Sequence, residues 1–307
     1  MALREQQQRM RAEQKLAKEQ ARRLTGAVEP LGNHQHSILE IALKNDVNKI
    51  RSMPTLADRA VYKRDHFLPK WLPYVHDYFN KKEQYQNEII GYCIVYLFDV
   101  GDLTQALELS QLAIDDGQQP PAIIKSTLTT FVARQVFDFT EKMATAGQSF
   151  EPYFSQTFKN VATQWKLHEK IQAKWYKLAG NLLITSNGKA HPASNNDPER
   201  LTFAVQLFNR AYQLDHRVGV TTAIERCIMR LKKLASFGIE LNHTQLKNKE
   251  ASKEPQPVRG LTLDKTDINV SRIIELLNAP PLSFDEIKEK YHLKNIKQEA
   301  EKGEENA

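Results

Sequence analysis

The chain has 307 residues, 41% hydrophobic and 26% charged, which is the ordinary balance of a globular protein with a real core. Its 43 basic and 37 acidic side chains give a net charge of +6, which permits a polyanionic partner without requiring one. No long apolar run and no apolar signal core are present, so we expect neither a membrane span nor secretion. Cys93 and Cys227 lie inside apolar helical patterns, which favours core thiols over a disulfide or zinc framework.

The N-terminal segment, residues 1–36, is predicted to be a basic helix followed by a linker. Residues 2–24 are strong helix formers with almost no apolar stripe, which indicates a solvated helix that is stable only when docked. A cluster of helix breakers over residues 25–34, which includes Gly26 and Pro30, separates this helix from the rest of the chain. Residues 1–23 carry seven basic side chains against three Glu; the basic ones are Arg4, Arg9, Arg11, Lys15, Lys18, Arg22 and Arg23.

A helical period resumes over residues 37–50, and a helix rich in Arg and Lys follows it. Pro69 and Pro73 bracket Trp71, so we predict that residues 68–74 form a rigid extended or kinked turn. Trp71 itself is interpreted as a core anchor in preference to a base-stacking residue.

Two helix pairs with small residues at the contact are predicted further along the chain. In the first, Gly101-Asp102 separates two apolar helical patterns, and Ile94 and Ala106 are 12 residues apart, the spacing of a degenerate tetratricopeptide-type repeat. In the second, a helix through Trp175 and Ala179 pairs with one through Ala204. The intervening residues 185–200 are rich in Gly, Pro, Asn and Ser, so we expect them to bulge into solvent.

Other helices are predicted near residues 123–145, 154–173 and 220–234, and sustained strand-like alternation is absent. The predicted fold class is therefore all-α, a tetratricopeptide-like helical-repeat bundle over residues 37–237. Residues 238–263 are polar and contain Lys and Pro, as in a linker. Residues 264–307 are predicted to form a small helix pair, the second helix of which opens with the capping box Ser283-x-x-Glu286. A helix pair on a tether is typical of a docking element.

Catalytic motifs are weak in this sequence. The step Asp285-Glu286-Ile287-Lys288 has a carboxylate-x-Lys spacing, but it falls in a predicted helix without the hairpin that would present it. Six residues have side chains that could bind a metal ion, but such histidines are more often solvated or structurally bonded than metal ligands. The six residues are His34, His36, Asp65, His66, His76 and Asp77. No phosphate-binding Gly-rich loop and no serine or cysteine nucleophile motif is found.

Three segments, "FLPKWLPYV", "DVGDLTQALELSQLAI" and "FNRAYQLDHRVGVTTAIERCIMRLKKL", resemble the small terminase subunit of tailed temperate phages, which is also called the endonuclease subunit. The resemblance covers about residues 37–234. It implies binding to the packaging site, or cohesive-end site, of double-stranded viral DNA and recruitment of the large ATPase subunit. It also implies a part in the endonucleolytic cut, assembly as a homo-oligomer, and a location in the cytoplasm of the bacterial host cell.

The resemblance makes the basic side chains candidates for DNA binding through phosphate neutralisation. Besides those of the N-terminal segment, the candidates are Arg59, Lys63 and Arg64. No catalytic residue, resident metal or other cofactor is assigned; magnesium enters only if the protein itself cleaves DNA. Two alternatives stay open: a helical-repeat scaffold that binds only proteins, and a metal-dependent nuclease with a constellation that this sequence does not reveal.

Overall fold

The computed structural model describes residues 31–186, 189–236, 268–280, 282 and 284–290, and the predicted all-α class is confirmed. The chain divides into two compact units, Met1–Glu83 (unit 1) and Gln84–Ala307 (unit 2). The described helices of unit 1 are α1 (Leu31–Ser52), α2 (Leu56–Tyr62), a π-helical turn (Lys63–Phe67) and α3 (Leu68–Asn80). The backbone is already helical at Leu31, so the predicted breaker loop ends before His34 and His36.

The prediction of an extended turn around Trp71 is wrong. Residues 68–74 belong to helix α3, in which Pro69 occupies the first turn and Pro73 lies inside the helix. The first turn tolerates proline because its N–H groups have no intrahelical acceptor, while an internal proline removes one helical hydrogen bond. Trp71 is fully buried, as expected of a core anchor. Helix packing therefore outweighs the local tendency of proline to end the helix.

Helix α1 is joined to α3 through one carboxylate. The side chain of Asp46 accepts hydrogen bonds from Lys70 Nζ at 2.7 Å and from Trp71 Nε1 at 2.8 Å. The indole N–H of a buried Trp needs an acceptor, so Asp46 fixes the register between the two helices. The core of unit 1 is built from Leu43, Val47, Ile50, Phe67, Leu68, Trp71, Val75 and Tyr78.

Unit 2 is a body of short helices with one small hairpin. Its helices are α4 (Glu88–Val100), α5 (Leu103–Asp115), α6 (Leu128–Thr145), α7 (Tyr153–Thr163), α8 (Glu169–Leu183), α9 (Pro198–Leu214), α10 (Thr221–Ser236), α11 (Val270–Asn278) and α12 (Phe284–Lys290). The two-residue strands β1 (Thr185–Ser186) and β2 (Lys189–Ala190) pair antiparallel. The helix expected over residues 154–173 ends at Thr163, and α8 starts after a short break.

Both predicted helix pairs are present, although a tetratricopeptide geometry stays a prediction. In the first pair, Gly101 adopts a φ of 84°, which an L-residue rarely tolerates, and Asp102 caps α5 by accepting from Gln105 N. Ile94 and Ala106 are both fully buried. In the second pair, α8 and α9 make the most extensive helix contact of unit 2. Gly180 on α8 lies against the ring of Phe208 on α9.

The loop between α8 and α9 does not simply bulge into solvent as predicted. Asn195 donates to Leu183 O at 3.2 Å, and Arg230 of α10 donates from Nε to Asn195 O at 3.0 Å. Asp197 is buried and caps α9, so the helix begins before the predicted end of the loop. This polar loop can pack against the protein because side chains supply the hydrogen bonds that water would otherwise make to it.

The C-terminal helices are part of the unit 2 body, with Ile273, Leu276 and Ile287 buried. Arg200 on α9 is only 4% exposed, and its guanidinium donates to Leu276 O and Ala279 O at 2.5 Å each, at the C-terminal end of α11. These carbonyls have no helical partner, so the buried cation satisfies them. The predicted linker, residues 238–263, lies outside the described part of the chain.

Candidate nucleic-acid interface

Arg59, which is predicted to bind DNA, hydrogen-bonds to backbone carbonyls of unit 1. Its Nε donates to Met53 O at 2.9 Å and its Nη2 donates to Arg51 O at 3.2 Å, which closes the turn from α1 to α2. The turn is reinforced by Thr55, whose hydroxyl oxygen accepts from Asp58 N and caps α2. Arg59 thus holds the carbonyls at the end of α1 and is half-buried.

Lys63 and Arg64 lie in the π-helical turn that links α2 to α3. Arg64 is exposed and pairs with Asp65, with an Nε–Oδ1 distance of 2.9 Å. The hydrogen bond from Arg64 lowers the pKa of Asp65, which is exposed as well. Exposed ion pairs contribute little to stability and exchange readily for a stronger anion such as phosphate. Arg64 is therefore accessible to a phosphate group, although its guanidinium faces Asp65 here.

The structure joins Lys49, one of the basic side chains on which the predicted DNA binding rests, to Tyr62, which the sequence patterns did not single out. Lys49 Nζ on α1 lies 4.7 Å from the ring centroid of Tyr62 on α2, so a cation–π contact joins the two helices. Lys49 follows Lys44 by five residues and Tyr62 precedes Lys63, so the contact brings together basic residues that are distant in the chain. This proximity had no local sequence signal.

Charge is distributed unequally between the two units. Residues 1–83 contain sixteen of the 43 basic and ten of the 37 acidic residues, a net charge of +6. Residues 84–307 contain 27 of each and are neutral overall. The whole net charge of the chain therefore belongs to unit 1. The seven basic candidates within residues 4–23 fall in the same unit but lie outside the described residues.

The candidate metal ligands do not converge where the structure describes them. Asp65 pairs with Arg64, Asp77 pairs with Lys81 at 3.5 Å, and the His66 ring contacts the Tyr62 ring. Within the described part of the chain, no three His, Cys, Asp or Glu side chains are grouped to hold a metal ion. The side chains of His34 and His36 lie outside that part. The described residues thus offer no preformed cluster of three or more such protein ligands.

The described residues also lack an arrangement suited to a nuclease or to a cysteine nucleophile. Asp285 and Glu286 are exposed in the first turn of α12, a helix without a hairpin to present them. Burial raises the pKa of the Cys227 thiol to about 12 and the pKa of the Cys93 thiol further, so both stay protonated at neutral pH. They are core residues, as predicted.

Two cavities, both in unit 2, carry little net charge. A cavity of about 450 Å³ between α5, α6 and α7 is lined largely by carboxamide and hydroxyl groups, with Lys159 and Glu108 of opposite charge. A second cavity of about 290 Å³ between α6 and α8 combines Lys174, Lys177 and Arg217 with two acidic residues. A strong polyanion is better matched by the net positive unit 1.

Comparison with known proteins defines the class of this helical protein. Residues 40–170 match the family described as phage small terminase subunit. The chain is 49% identical over 261 residues to a probable terminase, endonuclease subunit, of Haemophilus phage HP1, covering 85% of this chain and 89% of that protein. The chain therefore belongs to the phage small terminase subunit family.

A more distant relative carries a similar description. The terminase, endonuclease subunit, of Escherichia phage P2 is 26% identical over 193 residues, which cover 62% of this chain and 72% of that protein. No solved structure matches the chain. Where the chain is described, no helix has the length and apolar character needed to cross a bilayer.

Proposed function

We propose that this chain is the DNA-selecting subunit of a phage packaging terminase. In this role it binds double-stranded viral DNA at the packaging site, recruits the large ATPase subunit and takes part in the endonucleolytic cut. Family membership supports this role, since a relative of 49% identity is described as a probable terminase endonuclease subunit. The observation that carries the DNA-binding assignment is that unit 1 holds the entire net charge of +6.

The mechanism follows from electrostatics and division of labour. Basic side chains of unit 1 neutralise phosphates and release counterions, which gives affinity that falls steeply as salt rises. The neutral unit 2 contributes the helical body for assembly with other copies and for docking the large subunit, and its C-terminal helices are our candidate docking element. The chemistry of cleavage is proposed to be completed in the complex, because the described residues present no preformed cluster of three or more metal-ligand side chains.

The test is to incubate the purified protein with magnesium and a DNA fragment carrying the phage packaging site, with and without the large subunit. We expect a salt-sensitive mobility shift from this protein alone and cutting only when the large subunit is present. Binding that ignores salt and DNA would instead support the protein-only scaffold. Specific cutting by this protein alone would place the active site in this chain.

A further inference from the structure

Helix α1 exposes an ordered polar stripe that its role in the fold does not explain. Leu43, Val47 and Ile50 bury the inner face of the helix with at most 3% exposure. The outer face carries Ile41, Lys44, Asn48 and Arg51 at the spacing i, i+3, i+7, i+10, and all four are exposed. This spacing aligns their side chains along one side of an α-helix.

The polar members of this stripe are available to a partner. Within the described residues, no protein group bonds to the side chains of Lys44, Asn48 and Arg51. The acidic residue nearest to them along the helix, Asp46, is bonded to Lys70 and Trp71 of α3, and Glu40 also interacts within the protein. Ile38 and Ile41 are 65% and 58% exposed, which is unusual for isoleucine on a helix whose inner face is well packed.

The residue types of the stripe match the edges of base pairs. Arg donates in a bidentate manner to guanine, Asn pairs in a bidentate manner with adenine, and apolar side chains contact the thymine methyl group. Lys binds phosphate as a point charge. A 22-residue helix is about 33 Å long, and the major groove of B-DNA admits one α-helix.

The helix is also held rigidly from behind. Asp46, on the inner side, is bonded to Lys70 and Trp71 of α3, and Arg59 holds the carbonyls at the C-terminal end of α1. Lys49, placed over the Tyr62 ring, is an exposed cation that directly follows Asn48 of the stripe. Fixed backbone geometry and flanking cations are what base reading requires, because phosphate contacts set the register of the helix.

We propose that α1 is the helix with which this protein reads DNA sequence. Asn48 and Arg51 contact base edges in the major groove, Ile41 contacts thymine methyl groups, and Lys44 binds a backbone phosphate. This inference rests on the proposed function, since it names the residues that make DNA binding sequence-specific. Arg59 is then a positioning residue of the same surface and makes no DNA contact of its own.

The test compares two duplexes of equal length and composition: a fragment of the phage genome carrying the packaging site, and its shuffled sequence. Full-length N48A and R51Q should bind the genomic fragment about 10-fold to 100-fold more weakly while binding the shuffled duplex like the wild type. K44Q should weaken both duplexes alike and reduce the salt slope by about one. The matched control N80A, an exposed residue at the end of α3, should change neither.

The outcomes separate this inference from the proposed function. A wild-type protein that binds neither duplex at low salt refutes DNA binding itself. A wild type that prefers the genomic fragment, with the same preference kept by N48A and R51Q, refutes only the reading role of α1. Loss of large-subunit binding in these variants with DNA preference intact would also overturn the inference, and would make α1 a protein-docking face.

Discussion

Replacing Arg200 by Met should loosen the C-terminal helices from the unit 2 body. In the wild type the buried guanidinium donates to two carbonyls at the end of α11, Leu276 O and Ala279 O, and lies 3.8 Å from Asp197. Burial lowers the pKa of Arg200, so the charge is kept at a desolvation penalty that these acceptors offset. Met fills a similar volume but donates no hydrogen bond.

The magnitude follows from the hydrogen bonds that are lost. A bond involving a charged donor contributes about 1.5–3 kcal/mol, and relief of the buried charge cancels part of the two-bond total. We therefore expect the local opening free energy of α11 to fall by about 3 kcal/mol. Each 1.4 kcal/mol corresponds to a factor of about ten, so exchange of α11 amide hydrogens should accelerate roughly 100-fold.

Hydrogen exchange with a mass readout on peptides from α9 and α11 measures this effect directly. Arg226→Met is the matched control, because Arg226 is exposed on α10 and should leave exchange unchanged. Arg200→Lys should fall between the two, since one ammonium group reproduces the guanidinium fork poorly. Exchange in Arg200→Met within threefold of the wild type would refute the role assigned to this buried cation.

Two further predictions concern the same region of unit 2. Glu199 accepts from Arg272 at 2.6 Å, which lowers the pKa of Glu199. The stabilisation from this ion pair is fully present above the unfolded pKa of Glu, about 4.3, and is lost as pH falls through the lower pKa of the folded protein. The difference in free energy of unfolding between the wild type and Glu199→Gln, measured by urea titration, should therefore shrink on acidification. Gly180→Ala would place a Cβ 2.6 Å from the buried ring of Phe208, so its thermal midpoint should fall despite the better helix propensity of Ala; an unchanged midpoint would contradict this packing.

Periodicity and turn signals predicted the elements whose local and global preferences agree. Gly101 and Asp102 end one helix and cap the next because a positive φ and a side-chain cap are encoded locally. Pro69 and Pro73 misled the prediction because the burial of Trp71 and its bond to Asp46 favour a continuous helix. That bond joins residues 25 positions apart, which no local pattern reveals.

The candidate site likewise combines features that are encoded locally with features that depend on distant contacts. Composition located the excess of basic residues near the N-terminus, but the outward stripe of α1 depends on which face of the helix packs against the core. Arg200 combines a local signal for its position with a distant cause for its burial. Asp197-Pro198 is a helix-start signal that could have placed Arg200 in the first turn of α9. Its burial nevertheless depends on α11, which follows about 70 residues later.

The packing of the C-terminal helices also changes how their proposed docking role must be tested. Deleting residues 264–307 would remove the acceptors of Arg200, so a loss of large-subunit binding could reflect a loosened body. The inner faces of α11 and α12 are occupied, whereas Ser271 and Glu289 point to exposed surface. A docking element must therefore use this outer side.

We expect the double variant Ser271→Arg/Glu289→Lys to bind the purified large subunit at least about tenfold more weakly, since one added and one reversed charge, with the bulk of Arg, oppose association at an interface. Amide exchange of α11 should stay as in the wild type, because neither side chain contributes to the buried face. Titration calorimetry with the large subunit measures the affinity, and Arg226→Gln on α10 serves as the exposed control. Unchanged affinity in the double variant would exclude these helices as the docking element and direct the search to the cavities between α5, α6 and α7 and between α6 and α8.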